Sequence, residues 1–456
     1  MKSETNLLEN ANEKGGRNKK IGTELLVKFF NKYLPDAFAI AILLTIIIFV
    51  AGIAFTPASA FDMVSYFGKG FPNLYSFGMQ MALILVTGHA LANTKQVKKI
   101  LNGISSIPKN PTQAVVFISI ACMILNYINW GLGMIGGAML AKQVAIKNRK
   151  THYPLLIALV YGATMIRGFS TSIPLVVATP GHFLEKSLGV IPISKTMFSS
   201  WNMIISVGLV ILLALLAKLM MPPENEILSI PEHLIKEDEI EVVMMEADAT
   251  PAQKFSHSKI LSLFISIVVI IYCIDYFIKA DTFNINIDIV IILFMAIGIF
   301  LHGSLVSYKN AIGKAIKVTS GVILQFPIYA GIMAMIRNSD IASMISQWFV
   351  SISTSGSFPV VTFISASILN IFVPSGGGQW AVQGPIMMPA AAELGADTAK
   401  TIMAIAWGDA LTNQIQPFWA LPILGVAGLE VKDIMGYCAA WCLVAGIFIG
   451  IVLAVL

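Results

Sequence analysis

Charged residues are scarce in this chain of 456 residues, and long polar stretches are few. Asp, Glu, Lys and Arg make up 12% of the sequence, whereas 56% of it is hydrophobic. A soluble protein carries about a quarter charged residues, so the composition excludes an ordinary soluble fold. Runs such as 37–55 and 439–456 are long enough, with their flanks, to cross a bilayer as helices. The sequence therefore predicts an all-α polytopic membrane protein.

Cysteine is also rare, with only Cys122, Cys273, Cys438 and Cys442, and all four fall in apolar stretches. Their spacing is neither that of metal ligands nor that of a disulfide framework. We interpret them as small core residues. No cofactor is expected, and no metal beyond a Na⁺ ion.

The pattern of a cleaved signal peptide is missing from the start of the sequence, where an apolar segment would be expected. Residues 1–32 are instead polar and rich in Lys and Arg. Basic segments next to membrane spans favour the cytoplasmic side, which predicts an N-terminal tail inside the cell. The net charge of +5 then reflects membrane orientation. The lipid bilayer is the expected partner, and nucleic acid is not.

Two membrane halves are predicted on either side of an acidic, proline-containing cytoplasmic linker at 222–256. The first half is 33–221, and 257–456 contains a connecting helix and the second half. Each half includes one apolar stretch that is too long for a single helix and is broken by glycines, at about 112–146 and about 358–396. Lysines flank the first stretch at both ends, so both of its ends are expected on the same side, as in a re-entrant hairpin.

Short motifs recur in order between the two halves. "VSY" occurs at 64–66 and 306–308, an offset of 306 − 64 = 242, and "ILN" at 124–126 and 368–370, an offset of 368 − 124 = 244. An odd number of predicted crossings separates the copies, so the second repeat is predicted to be inverted, with the loop at 57–75 outside and residues 305–317 inside. Inverted repeats with broken helices are typical of secondary transporters that bind their substrate near the membrane midplane.

The segment "VPSGGGQWAVQGPIMMPAA" at 373–391, together with "NWGLGMIGGAM" at 129–139, closely resembles the AtoE-type short-chain fatty acid transporter family of the ion transporter superfamily. The resemblance implies an elevator-type transporter with two opposed re-entrant hairpins, located in the cytoplasmic (inner) membrane of a bacterium. It also implies short-chain monocarboxylates such as butyrate or acetoacetate as substrates, symport with a cation, a homodimer, and no enzymatic activity.

A short carboxylate needs hydrogen-bond donors for its head, and half-helix N-termini at hairpin tips supply them. Glycines there allow a ligand to approach the backbone, while Ser, Asn and Gln add side-chain donors. An arginine at depth in the membrane is expensive and therefore indicates function. The predicted substrate-binding residues are Asn126, Asn129, Gly131, Ser375, Gly376, Gly377, Gly378, Gln379 and Arg167.

Two later helices contain polar residues and proline in mid-span, at 165–174 and 409–419. Proline frees a backbone carbonyl, and unwound carbonyls with Ser, Thr and Asn oxygens suit Na⁺. The predicted cation-binding or coupling residues are Ser170, Thr171, Ser172, Asp409, Thr412, Asn413 and Gln416. Asp409 could instead carry a proton or pair with Arg167, so Na⁺ and H⁺ both stay open as the coupling ion.

Three other functions remain open from the residues alone. A dicarboxylate carrier would need a second cationic subsite, and Arg167 alone is visible at depth. An intramembrane enzyme could use Ser375 or Ser172 as a nucleophile, but no Ser-His or Asp-Asp constellation accompanies them. A channel would conduct without coupling.

Overall fold

The computed structural model describes residues 23–182, 184–236, 250–279 and 287–456. Within those ranges the chain is helical and contains no β-strand. Residues 1–22 of the predicted tail and residues 237–249 of the predicted linker lie outside the described part of the chain.

Twenty-three α-helices are described, and three short 3₁₀ turns accompany them at Phe71–Leu74, Glu224–Glu226 and Ile316–Thr319. The α-helices are α1 Thr23–Tyr33, α2 Ala37–Phe55, α3 Ala60–Gly70, α4 Tyr75–Ala92, α5 Lys95–Ile104, α6 Pro111–Ile128, α7 Trp130–Lys147, α8 Tyr153–Ala163, α9 Ser172–Val177, α10 Glu185–Leu188, α11 Ser200–Leu219, α12 Glu232–Lys236, α13 Pro251–Ser256, α14 Lys259–Lys279, α15 Ile287–His302, α16 Leu305–Ala315, α17 Ser320–Asn338, α18 Ile341–Ser351, α19 Phe358–Asn370, α20 Gly376–Leu394, α21 Thr398–Asn413, α22 Pro417–Ala427 and α23 Val431–Val455.

Among the described residues, seven helical segments are long and apolar enough to cross a membrane, which makes this a multi-pass membrane protein. The segments are Ala37–Phe55, Ala60–Ala92, Pro111–Ile128, Ser200–Leu219, Pro251–Lys279, Ser320–Asn338 and Val431–Val455.

The prediction of a loop at 57–75 was wrong. Helix α3 begins there with a reciprocal capping box between Ser59 and Asp62, and a 3₁₀ turn joins α3 to α4. Gly70, which resembles a helix breaker in the sequence, instead allows close packing, because a Cβ at that position would lie 2.3 Å from the Cβ of Ala334. In the segment 305–317, which was predicted to lie inside, residues 305–315 form helix α16.

Each glycine-broken stretch forms a pair of packed helices. In the first pair, α6 and α7 meet at Asn129, and a Cβ on Gly137 would lie 3.7 Å from the Cβ of Cys122. In the second pair, the side-chain amide of Gln379 on α20 donates to the carbonyl of Ala366 on α19 at 2.8 Å. The contacts join residues that are equally far from the turn, so the helices of each pair run antiparallel.

Most of the helices, including those of the two pairs, pack in two groups. The frame consists of α2–α4 and α14–α17, in which α2 and α3 pack on α17 while α15 and α16 pack on α4. The core group consists of α6–α9, α11 and α19–α23, in which α8 and α11 both pack on α23. Hydrogen bonds from two buried indoles join helices of the core group. Trp407 donates to Asn202 at 2.8 Å, and Trp441 donates to the carbonyl of Gly162 at 3.0 Å.

Candidate functional site

A cavity of about 400 Å³ lies between the frame and the core group. Three helices of at least eleven residues begin at or beside it, namely α7 at Trp130, α20 at Gly376 and α22 at Pro417. It is lined by Leu74, Phe77, Trp130, Met134, Thr164, Arg167, Ser170, Thr171, Ser172, Pro374, Ser375, Gly376, Gly377, Asp409, Asn413, Phe418 and Trp419.

The first helix break forms one wall of this cavity. It was predicted at 165–174 and is confirmed, since α8 ends at Ala163 and α9 begins at Ser172. The hydroxyl of Ser170 accepts the backbone N–H of Trp130 at 2.9 Å, which fixes the break to the tip of the first helix pair. Gly168 makes this approach feasible, because a Cβ on it would lie 2.0 Å from the carbonyl oxygen of Tyr127.

The tip of the second helix pair forms the facing wall. Ser375 caps α20 by accepting the N–H of Gly378 at 3.3 Å. The N–H groups of Gly376 and Gly377, in the first turn, have no carbonyl partner within the helix. A Cβ on Gly376 would lie 2.6 Å from the hydroxyl of Ser172, whereas one on Gly377 would meet no atom within 4 Å. These two amides and two hydroxyls therefore form a donor-rich patch.

An ion pair borders the same patch. The guanidinium of Arg167 donates to Asp409 Oδ2 at 2.8 Å and to the carbonyl of Ala406 at 3.0 Å. The two side chains are only 14% and 8% exposed. The charge of Arg167 is therefore matched by Asp409, which leaves the helix N-termini as the groups at the cavity that favour an anion.

The second predicted break, at 409–419, is confirmed between Asn413 and Pro417. Asn370, at the end of α19, holds it in place: its amide nitrogen lies 2.8 Å from the carbonyl of Asp409 and 2.8 Å from Asn413 Oδ1. Its own carbonyl accepts the amide of Gln416 at 2.9 Å. The side-chain oxygens of Asn370 and Gln416 are buried without a hydrogen-bond partner, so neutral oxygens are concentrated at this break.

The structure brings some of the predicted residues to the cavity and leaves others outside it. Nine of the sixteen line it, namely Arg167, Ser170, Thr171, Ser172, Ser375, Gly376, Gly377, Asp409 and Asn413. Seven do not, namely Asn126, Asn129, Gly131, Gly378, Gln379, Thr412 and Gln416.

Most of the seven support the tips of the helix pairs or the breaks. Asn129 caps α7 by accepting the N–H of Leu132 at 3.0 Å, and Asn126 donates to Cys122 within its own helix. Gln379 is fully buried and uses its amide on α19, not on the cavity. Thr412 donates to the carbonyl of Ser367 at 2.7 Å. Gly131 and Gly378 adjoin Ile84 and Met333.

Sequence reasoning did not place Asn370 or most of the aromatic wall in the site. Asn370 ends the second "ILN" motif and corresponds to Asn126 in the first, which was a usable signal. The aromatic wall consists of Phe77, Trp130, Phe418 and Trp419. Trp419 lies 5.4 Å from Trp130, 5.7 Å from Phe77 and 5.1 Å from Phe418, measured between ring centroids. Phe418 and Trp419 follow Pro417 directly, so the predicted helix break was a signal that could have identified them as site residues.

Comparison with known proteins gives a consistent result. Residues 19–456 match the sequence model of a family described as "Short chain fatty acid transporter". A protein of Escherichia coli (strain K12), named "Putative short-chain fatty acid transporter", is 42% identical over 427 residues, which cover 93% of this chain and 97% of that one. A protein of the same name from Haemophilus influenzae is 43% identical over 437 residues, covering 94% and 98%.

Among solved structures, the chain is similar to the YdaH transporter of Alcanivorax borkumensis, described as having an unusual topology. The likeness covers 94% of this chain and 97% of that one, with 12% sequence identity and a TM-score of 0.41.

Proposed function

Because this chain belongs to the short-chain fatty acid transporter family, we propose that it takes up monocarboxylates such as butyrate or acetoacetate with a coupling cation. The observation that carries this proposal is the convergence of three helix N-termini on one cavity of about 400 Å³. Helix N-termini favour anions, and a cavity near the lower end of the usual 300–1,000 Å³ range suits a small ligand.

The carboxylate binds at the donor-rich patch. The N–H groups of Gly376 and Gly377, with the hydroxyls of Ser172 and Ser375, supply its hydrogen bonds. Arg167 contributes little net charge because Asp409 is 2.8 Å away. The alkyl chain then faces the aromatic wall, which has no cationic side chain to pair with a second carboxylate. This arrangement favours a monocarboxylate over a dicarboxylate.

The coupling cation binds at the second helix break. The unpartnered oxygens of Asn370 and Gln416, together with Asn413 Oδ1, are neutral ligands of the type that suits Na⁺. A proton on Asp409 is the alternative, and it would disrupt the ion pair with Arg167. The structure favours Na⁺ at this site because Asp409 is already paired.

The core group moves relative to the frame in an elevator-type movement, which gives alternating access to the cavity. The two halves of the chain are inverted repeats, and the helix pairs act as re-entrant hairpins. The helix bounds support the repeat. Helix α16 begins at residue 305, which is 245 residues after the start of α3 at residue 60. The 3₁₀ turns that follow begin at residues 316 and 71, and α17 and α4 begin at residues 320 and 75, so these starts are also 245 residues apart. The expected setting is the bacterial cytoplasmic membrane with the N-terminus inside.

Uptake by the purified protein in liposomes tests the proposal. Labelled acetate, butyrate, acetoacetate and succinate are offered with a Na⁺ gradient and a H⁺ gradient imposed separately. We expect saturable accumulation of unmodified butyrate and acetoacetate with the Na⁺ gradient, and little of succinate. Counterflow of labelled butyrate separates a carrier from a channel. The absence of gradient-driven uptake of every acid would contradict the proposal.

A further inference from the structure

The cavity has two chemically different patches, and the proposed function uses both. Its polar groups are contiguous, because Gly376 adjoins Ser172 and Asp409, and Asp409 pairs with Arg167. Its aromatic groups are also contiguous through ring contacts centred on Trp419. A fatty acid held by its carboxylate at the polar patch therefore extends towards a wall made of rings.

Trp419 is the central member of that wall. It touches three rings that come from different parts of the fold: Phe77 on frame helix α4, Trp130 at the tip of the first helix pair, and Phe418 beside it on α22. It is only half-buried and lines the cavity. Its position is therefore fixed by its neighbours, while part of its ring is left for a ligand.

We infer that Trp419 sets the chain length of the acids that the protein accepts, an inference that rests on the proposed function. The indole is rigid and contacts three other rings, so it cannot move aside for extra methylene groups, because protein interiors are close-packed. Chains that just reach the ring bury their last carbons, and longer chains collide with it. Removing the indole opens the apolar patch without altering the carboxylate donors.

Competition measurements test this inference. Counterflow of labelled butyrate in proteoliposomes is inhibited with unlabelled straight-chain acids from two to ten carbons. In wild-type protein we expect inhibition to be strongest at short chain lengths. In Trp419→Ala, the best inhibitor should be longer by two or more carbons, and the preference for octanoate over butyrate should rise by about tenfold or more, since each buried methylene contributes roughly fourfold in affinity.

Trp419→Phe replaces the two fused rings of the indole with one smaller ring. It should shift the chain-length preference towards longer acids, by a smaller amount than Trp419→Ala does. Trp348→Ala is the matched control, because Trp348 is 59% exposed on α18 and does not line the cavity. If Trp419→Ala is not found in the membrane, the chain-length profile of Trp419→Phe is the deciding measurement. An unchanged chain-length profile in the Trp419 variants, with active wild-type protein, overturns the inference alone. No acid counterflow by wild-type protein would overturn the proposed function as well.

Discussion

Gly376 and Gly377 are adjacent but have different surroundings, and this difference allows a clean test of the binding patch. A Cβ on Gly376 would lie 2.6 Å from the hydroxyl of Ser172, whereas one on Gly377, which lines the cavity, would meet no atom within 4 Å. We predict that Gly377→Val folds normally and lowers uptake by at least about tenfold, because the added methyl groups block ligand access to the backbone. Uptake normalised to protein in the membrane measures this.

Gly103→Val serves as the control for this substitution. Gly103 also has no atom within 4 Å of a built Cβ, but it lies exposed on α5, outside the cavity. Its uptake should match that of wild-type protein. Unchanged kinetics in Gly377→Val would mean that the substrate does not approach the backbone at Gly377.

The ion pair of Arg167 and Asp409 gives a second prediction. Removing one member leaves a buried charge unpaired, which typically costs about 3–5 kcal/mol, whereas removing both is often tolerated. We expect Arg167→Gln to lower the thermal stability of the purified protein strongly, and Arg167→Gln with Asp409→Asn to restore most of it. A double variant as unstable as the sum of the two singles would contradict a direct pair.

Single residues also mark the limit of what the sequence could predict about the site. The sequence left open whether Arg167 binds substrate or Asp409, and in the structure Arg167 contacts Asp409 at 2.8 Å. It predicted Gln379 as a ligand donor, but the residue lies on the face of α20 that packs against α19. Sequence alone cannot tell which face of a half-helix turns towards a cavity.

At the level of elements, the polar helix breaks were predictable and the continuous helices were not. Pro417 and the polar residues before it predicted the break that ends α21 at Asn413. The segment 57–75 was predicted as a loop, yet a helical run extends from Ala60 to Ala92, and Gly70 within it packs against α17. A glycine used for close packing is indistinguishable from a breaker until its neighbour is known.

The described start of the linker is attached to the core group by a histidine, which gives a pH prediction. The Leu228 N–H donates to His152 Nδ1 at 3.0 Å, and His152 Nε2 lies 3.0 Å from the Tyr437 hydroxyl. His152 precedes α8, and burial lowers its pKa from 6.5 to about 4. The folded protein therefore binds fewer protons than the unfolded chain between about pH 6.5 and 4.

Stability from this group is consequently complete above about pH 6.5 and is lost as pH falls towards 4, at about 1.4 kcal/mol per pH unit. We predict that the melting temperature of the detergent-solubilised protein decreases more between pH 7 and 5 than that of His152→Gln, which cannot titrate there. Glu232→Gln is the control, because Glu232 forms only an exposed ion pair with Arg149 in the same region. Equal slopes in wild-type protein and His152→Gln would exclude His152.

At the level of the whole molecule, the multi-pass helical character and the two helix pairs followed from composition and from the glycine-broken apolar stretches. What the sequence did not provide is the packing of α2 and α3 on α17, and of α15 and α16 on α4, which builds the frame from both halves of the chain. Apolar helix faces in a membrane protein resemble one another, so their partners cannot be chosen by hydrophobicity. The cavity between the frame and the core group therefore depends on which helices pack against each other.

Movement of the core group against the frame can be tested by a cross-link. A Cβ on Gly321 of α17 would lie 3.8 Å from the Cβ of Leu421 on α22, which is the mean separation in disulfides. We predict that Gly321→Cys with Leu421→Cys oxidises readily and stops uptake, because the bond joins the frame to the core group. Reduction should restore uptake, and each single variant should remain active under oxidising conditions.

A cross-link within the core group separates immobilisation from the mere presence of a disulfide. Gly137→Cys lies opposite native Cys122, with 3.7 Å between the Cβ positions, and both residues belong to the first helix pair. Oxidation of this variant should leave uptake close to its reduced level, because the pair moves as one body. If the oxidised Gly321–Leu421 pair also transports at its reduced rate, α17 and α22 need not move past each other. The elevator mechanism would then have to be replaced by gating within the cavity.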